Sequence, residues 1–428
     1  MTLVAIEQDV LVIGGGLAGV TAALAATRAG ARTRLVSHKQ STLRHASGLV
    51  DVLGYLPDGE GPVVDPLDAL SGLHDGHPYC RAGRDALESG LALFDEITGD
   101  RYRGSHTDAN ALIPTAGGSV KPTARYPAEM AAGLASRERD ILLVGFERLP
   151  AFDAPLAATH LASTGIPAGV RGVTVEFPVE VNPDAKVTRF ADLLDRNAGP
   201  GVDNVRRALA ERITPHLDGE GRVGFPAVLG LESHRAVREE IAGILPVDIF
   251  EVPMGPPSLP GIRLETLLYE ALDEAGVLLE TGTPVVGYEQ GTANDSPTVE
   301  QVIVDRNGSR VPYAADQYIL ATGGLVGQGI TSSREVAHEP IFDCYVSHPA
   351  DRYEWFEDDA FGDHAFARFG LTVDTDLRVL DADETPAFAN LRAAGAILGH
   401  YDYAAEKSAS GVSLATGYRA GTRAGENV

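Results

Sequence analysis

The sequence predicts an α/β protein in which a Rossmann-like domain, assembled from both ends of the chain, brackets an inserted α+β middle domain. Three observations carry that prediction. Residues 9–13 are an apolar, β-like run that leads into Gly14-Gly15-Gly16-Leu17-Ala18-Gly19 and then an alanine-rich helix over 17–29, stopped by Gly30. Residues 32–36 read as a second strand, so a β-loop-α-β unit closes within about thirty residues. Far downstream, the apolar strand 317–321 runs into Thr322-Gly323-Gly324, and 411–423 is a helix of small residues. A chain of 428 residues fits two domains. The borders are placed at 1–100 and 256–428 for the nucleotide domain and 101–255 for the insertion.

Between these ends the elements follow in order. A polar loop, 38–55, carries Ser41, Ser47 and Gly48, and a Pro/Gly/Asp-rich excursion runs from 56 to 78. Leu87, Leu91, Phe94 and Ile97 give residues 82–98 a helical period. Residues 102–126 are turn-rich, 140–146 form a buried strand, and a Pro/Ala-rich stretch covers 148–162. A strand is expected at 172–179, and helices at 202–213, 235–245 and 263–275. The proline-dense run 252–260 reads as a rigid connector and domain boundary. Strand-like runs at 277–280 and 285–289 follow, and Asn307-Gly308 between 301–305 and 310–312 predicts a two-residue hairpin.

Composition narrows the function. The net charge of −25 argues against a nucleic-acid surface. Only Lys39, Lys121, Lys186 and Lys407 are lysines, so an acidic, arginine-based surface points to a high-salt cytoplasm, where screening suppresses self-repulsion. Cys80 and Cys344 lie far apart with no metal-ligand spacing, so no iron–sulfur cluster or other metal is expected on this chain, and buried free thiols are. Residues 1–8 lack the basic start and apolar core of a secretory signal. The apolar stretch 10–29 reads as a βα unit of a soluble domain, because its glycine cluster would interrupt a membrane span.

The glycine loop carries the first chemistry. Gly14 permits a tight turn, Gly16 lets backbone approach a phosphate, and Gly19 lets helix and strand pack closely. Unpaired N–H groups of Gly15, Leu17 and Ala18 and the helix dipole favour an anion there. Where an acid ordinarily ends the second strand and holds ribose hydroxyls, this chain has Ser37, followed by His38 and Lys39. The strand entering Thr322-Gly323-Gly324 resembles the late motif of two-dinucleotide-fold flavoproteins. Gly395-Ala396-Ile397-Leu398-Gly399-His400 with Gly411-Val412 resembles their C-terminal flavin motif. A helix N-terminus at that point would stabilise the negative charge of a reduced flavin. Ser41 and Ser47 are candidate contacts to cofactor oxygens.

Longer runs make the resemblance specific. Gln40-Ser41-Thr42-Leu43, Ala46-Ser47-Gly48-Leu49-Val50-Asp51-Val52-Leu53 and Pro256-Pro257-Ser258-Leu259-Pro260-Gly261-Ile262-Arg263-Leu264 are similar to the B subunit of anaerobic glycerol-3-phosphate dehydrogenase, over nearly the whole chain. That resemblance implies a flavin subunit oxidising sn-glycerol 3-phosphate to dihydroxyacetone phosphate in glycerol catabolism. It also implies a catalytic A partner, an iron–sulfur C subunit that anchors the complex at the cytoplasmic face of the membrane, and quinone as acceptor. It implies FMN, and the glycine loop accommodates FAD as well. Lys121 and Arg125 are candidates for a substrate phosphate; His234, His400 and Arg125 are candidate catalytic groups. Two other readings fit the same motifs: a stand-alone flavin oxidase or reductase of another small substrate, and a degenerate flavoprotein acting as a structural subunit, the latter favoured by Ser37.

Overall fold

In the first of the two compact units formed by the chain, strand order explains how distant glycine motifs come together. The computed structural model describes residues 5–428; the first four residues, part of the segment read for a secretory signal, lie outside it. This unit comprises residues 1–42, 51–98 and 267–428. Its sheet runs Leu278–Thr281, β2 (Thr33–Ser37), β1 (Ile6–Ile13), Ser309–Leu320, Ser296–Arg306, Val285–Ala293, with Leu391–Ala393 beside Ser309–Leu320. β1 is parallel to both β2 and Ser309–Leu320, with Ile13 opposite Val36 on one side and Leu320 on the other. Val10, Leu11, Val12 and Ile13 are all buried, as a parallel strand covered on both faces requires.

Helix α1 (Leu17–Arg28) packs on the C-terminal helix Ala409–Gly425 through a stripe of glycines. A Cβ on Gly417 would stand 2.5 Å from the Ala18 carbonyl oxygen, and one on Gly421 2.2 Å from that of Ala22. Spaced four apart, these glycines let the two backbones approach to contact. At the tip of Ser296–Arg306 and Ser309–Leu320, Asn307 (φ 56°) and Gly308 (φ 86°) form the predicted hairpin turn.

The second unit comprises residues 43–50 and 99–266, so Leu43–Val50 groups with the insertion, and the later division falls inside helix Leu259–Glu274 rather than at the proline run before it. Its main sheet runs Asp248–Val252, Arg222–Pro226, Ile141–Phe146, Val170–Val175. Beside it the unit holds two antiparallel pairs, Tyr102–Arg103 with Tyr126–Pro127 and Ala111–Pro114 with Val120–Thr123, while all four strands of the main sheet are parallel. The cause is the helices between the strands, which make crossover connections, two of which the sequence pattern hides. Ala154–Ser163 begins with Asp153, whose carboxylate accepts from Leu156 N at 3.0 Å, and holds its proline in the first turn, where the missing N–H costs nothing. Val187–Arg196 ends at Asn197 in the left-handed conformation.

Arg222 lies wholly buried on its strand and donates to the carbonyls of Ala132, Leu134, Arg137 and Arg139. Burial and the charges of Arg137 and Arg139 push it down to about 10. It closes the C-terminal end of the 3-10 helix Ala128–Gly133 onto the sheet. The two cysteines are free; Cys344 is buried as expected, whereas Cys80 is exposed because it lies on the solvent side of the short helix Pro78–Ala82. No helix among the described residues is long and apolar enough to cross a membrane.

Candidate functional site

The glycine loop is built by contacts that only glycine allows, with one open gap. Gly14 takes φ +122°, and a Cβ there would lie 2.1 Å from the Ala321 carbonyl oxygen. A Cβ on Gly19 would lie 1.9 Å from the Gly14 carbonyl oxygen. These contacts press β1, the loop and α1 into one tight turn. Gly16 differs: its backbone is ordinary (φ −77°) and a Cβ would meet nothing within 4 Å. Gly16 also caps α1 with no side-chain hydrogen bond, and the first turn holds no acid. The N–H groups at the start of α1 therefore face open space at the positive end of the dipole, which is what a phosphate group needs.

On the other side of the loop, a Cβ on Gly15 would meet the Tyr269 hydroxyl at 2.7 Å and Ser37 Oγ at 3.1 Å. The Tyr269 hydroxyl donates to Gly15 O at 3.0 Å. Ser37 donates to Lys39 O at 2.9 Å, which leaves its oxygen able to accept from a hydroxyl. Lys39 in turn donates to the Gln328 side chain. No sequence signal marks Tyr269, since its place depends on a helix 254 residues away in the chain.

The late motifs reach the same loop. Thr322 follows Ala321, and its hydroxyl is shielded from solvent with no hydrogen-bond partner among the described residues. Gly323 takes φ +82°, and a Cβ on Gly324 would lie 2.6 Å from the Ala396 carbonyl oxygen. Gly395, at φ +80°, sits where a Cβ would be 2.5 Å from Ala18 Cβ, and its N–H donates to Thr416 Oγ1 at 2.9 Å. Gly399 lies against Gly370. Gly411 and Val412 play a different part from the one expected: their N–H groups are taken by Asp51 O and Ser408 O at 2.7 and 2.9 Å, and Gly411 leaves room for Tyr79. They pack the helix start and offer no amide to a ligand.

The remaining candidates divide between the units. In the first, Ser41 is buried. His400 is half-buried in the left-handed region (φ +69°), with Nε2 2.8 Å from Thr372 Oγ1, and its carbonyl oxygen lies 3.0 Å from His74 Nε2. Burial, then the charges of His74 and Arg81, holds its imidazole below the usual histidine range.

In the second unit, Ser47 accepts from Leu49 N at 3.4 Å, and Gly48 (φ +77°) packs on Pro260. Lys121 lies on strand Val120–Thr123, and Arg125 donates to the carbonyls of Gly104 and Ala124 at 3.2 and 3.0 Å. His234 starts helix His234–Ile244, with Nδ1 2.8 Å from the buried Glu129 carboxylate. Burial pushes Glu129 up, but the hydrogen bond and charge of His234, with the charge of Arg263, outweigh it and hold the carboxyl at about 2. A carboxyl depressed in the folded state contributes stability above its unfolded pKa and loses it as pH falls through the folded value. The expected contribution, on the order of 3 kcal/mol, disappears as pH falls from 4.5 to about 2. Acid unfolding of Glu129→Gln, followed by far-ultraviolet circular dichroism, should lack that component of the pH dependence.

The FAD binding domain family matches residues 9–412 of the chain. Over 428 residues the chain is 60% identical to a Halobacterium salinarum protein named as the probable B subunit of anaerobic glycerol-3-phosphate dehydrogenase, covering 99% of both. It is 31% identical to the B subunit of anaerobic glycerol-3-phosphate dehydrogenase of Vibrio cholerae, covering 97% of this chain and 95% of that one. Among solved structures, the 3-ketosteroid Δ1-dehydrogenase of Sterolibacterium denitrificans aligns over 99% of this chain and 100% of its own at 13% identity, with a TM-score of 0.44.

Proposed function

Because the chain belongs to the family of anaerobic glycerol-3-phosphate dehydrogenase B subunits and carries its FAD binding domain, we propose that it oxidises sn-glycerol 3-phosphate as the flavin subunit of a quinone-linked complex. The observation that carries the proposal is the convergence of three glycine segments on one loop whose only open position is Gly16. The residues present fit a flavin. The N–H groups at the start of α1 would hold its phosphate, Ser37 would accept from a hydroxyl, and the Thr322 hydroxyl would gain the polar partner it lacks. When bound, the flavin supplies a two-electron acceptor that can release electrons singly.

Oxidation of the secondary alcohol breaks the C2–H and O–H bonds, forms C=O, and needs a base for the hydroxyl proton. His400 is our candidate, since a depressed imidazole is neutral and ready to accept at neutral pH. His400→Asn should lower kcat by about 10²-fold or more. The acid limb of kcat/KM in the parent enzyme should lie below the ordinary histidine value of 6.5. His234, paired with Glu129, is assigned a structural part.

Electrons then pass to an iron–sulfur partner and on to quinone, in a complex peripheral to the cytoplasmic face of the membrane. Co-purifying the chain with its partner subunits and assaying quinone-analogue reduction by glycerol 3-phosphate tests the proposal. Turnover that needs both the substrate and the partners supports it. Turnover of a different substrate by the isolated chain would replace it with the stand-alone oxidase reading.

A further inference from the structure

Residues 345–368 hold six aromatic side chains in 24 positions, in a chain that is 6% aromatic overall. Most of them are not in the core. Tyr345, Tyr353, Phe356, Phe361 and Phe366 are all exposed, with Tyr353 at 83% and Phe361 at 98%. Exposed large apolar groups concentrated in one short segment carry a hydration cost that a free surface does not repay.

The segment is nevertheless built. Trp355, the only tryptophan in the chain, is buried against Phe369 and His348, with ring centroids 5.3 and 5.1 Å away, and its indole N–H donates to Pro349 O at 2.8 Å. Phe366 N donates to Trp355 O at 3.0 Å, and Glu357 N donates to His364 Nδ1 at 3.0 Å. Arg368 pairs with Asp363 at 2.6 Å, and Asp351 accepts from Tyr353 N at 2.9 Å. These bonds hold the exposed rings on a fixed scaffold, so little ordering is left for a partner to impose. Between the rings along the chain lie Asp351, Glu354, Glu357, Asp358, Asp359 and Asp363, all exposed, against one exposed arginine, Arg352.

We infer that residues 345–368 are the surface on which another subunit of the same enzyme docks, and that this partner meets it with apolar and basic side chains. The inference rests on the reading of the chain as one member of a complex. Fixed, exposed aromatic side chains interleaved with charged ones are the composition of a protein–protein interface. The acidic side chains select a basic partner and disfavour both a second copy of this acidic chain and an anionic lipid surface. In concentrated salt the Debye length shrinks to about 3 Å, so the acidic side chains discriminate only at contact range, by pairing with basic groups or meeting acidic ones, while burial of the rings holds the partner.

The test is co-expression of the full chain, tagged, with its partner subunits, and purification in molar salt. The variant is Tyr353→Asp combined with Phe361→Asp; the control is Val64→Asp, a position 75% exposed elsewhere in the chain. The double variant is expected to retain at least 10-fold less partner than the parent, with flavin content and melting temperature unchanged, while the control retains it fully. Full retention by the double variant would overturn the inference. So would self-association of the parent that the double variant abolishes without loss of partner, or binding of the parent to anionic vesicles that the double variant abolishes. If the parent itself retains no partner, the reading of the chain as a member of a complex falls first, a result distinct from loss confined to the variant.

Discussion

Gly16→Val is expected to leave the cofactor-free chain as stable as its parent, within about 0.5 kcal/mol, while cutting its flavin content at least 10-fold. The reason is the open space at this position: the backbone is in an ordinary extended conformation, and an added Cβ meets no heavy atom within 4 Å beyond its chain neighbours. The new atoms occupy the ground that a phosphate must reach to meet the start of α1. Gly19→Ala is expected to behave in the opposite way. Its Cβ would stand 1.9 Å from the Gly14 carbonyl oxygen, so strand and helix must separate. Overpacking of this kind costs about 1–3 kcal/mol before any ligand is considered. Denaturant melts of the two cofactor-free variants, beside flavin released on denaturation, separate the effects. Equal destabilisation by both would show that Gly16 is a packing glycine.

Arg263→Met is expected to destabilise the inserted unit by about 3–5 kcal/mol, and Glu251→Leu combined with Arg263→Met to restore most of that loss. Glu251 is fully buried on strand Asp248–Val252, and Arg263 Nη1 meets it at 2.6 Å, with Arg263 side-chain exposure of 11%. The same carboxylate accepts from Leu229 N at 2.8 Å, and the guanidinium also donates to Gly230 O. Removing the arginine alone strands a carboxylate in the core, where no solvent can replace its partner. Removing both leaves an apolar contact, with the Leu229 N–H and the Gly230 carbonyl without these partners, a smaller penalty than a stranded charge. Chemical denaturation of the parent, the single and the double variant checks the cycle. A single variant within about 1 kcal/mol of the parent would mean that water reaches the pair.

Features whose physics is local are readable in the sequence. The strand, glycine loop and helix at the N-terminus, and the Asn307-Gly308 turn, each depend on residues within a few positions, and each forms as the pattern requires. The family is readable for the same reason, through contiguous runs such as the double-proline segment. Features set by distant contacts are not. Arg222 sits in Arg222–Pro226, a strand buried along its whole length, and an arginine there conceals the apolar run that would mark it. The carbonyls that satisfy it come from residues 132–139, more than eighty positions away in the chain. The helix Ala154–Ser163 is hidden by its own proline, and the parallel order of the inserted sheet follows from helices that the pattern conceals. Tyr269 and the unpartnered Thr322 hydroxyl become informative only once the sheet brings them to the loop. Gly411 keeps its sequence signature but not its expected part, because the turn at Asp51 claims its amide.

With a net charge of −25, lowering the salt concentration restores self-repulsion that molar salt screens. All measurements on these variants therefore belong in concentrated salt.

If the loop centred at Gly16 holds the flavin, closing that position removes the cofactor from the chain. The most direct measurement is to purify the parent and Gly16→Val chains in high salt, denature each, and identify and quantify the released cofactor. FMN or FAD close to equimolar with the parent chain, and nearly none from Gly16→Val, is the predicted result. A colourless parent chain that takes up neither FMN nor FAD, or a Gly16→Val chain with its full complement, would contradict it.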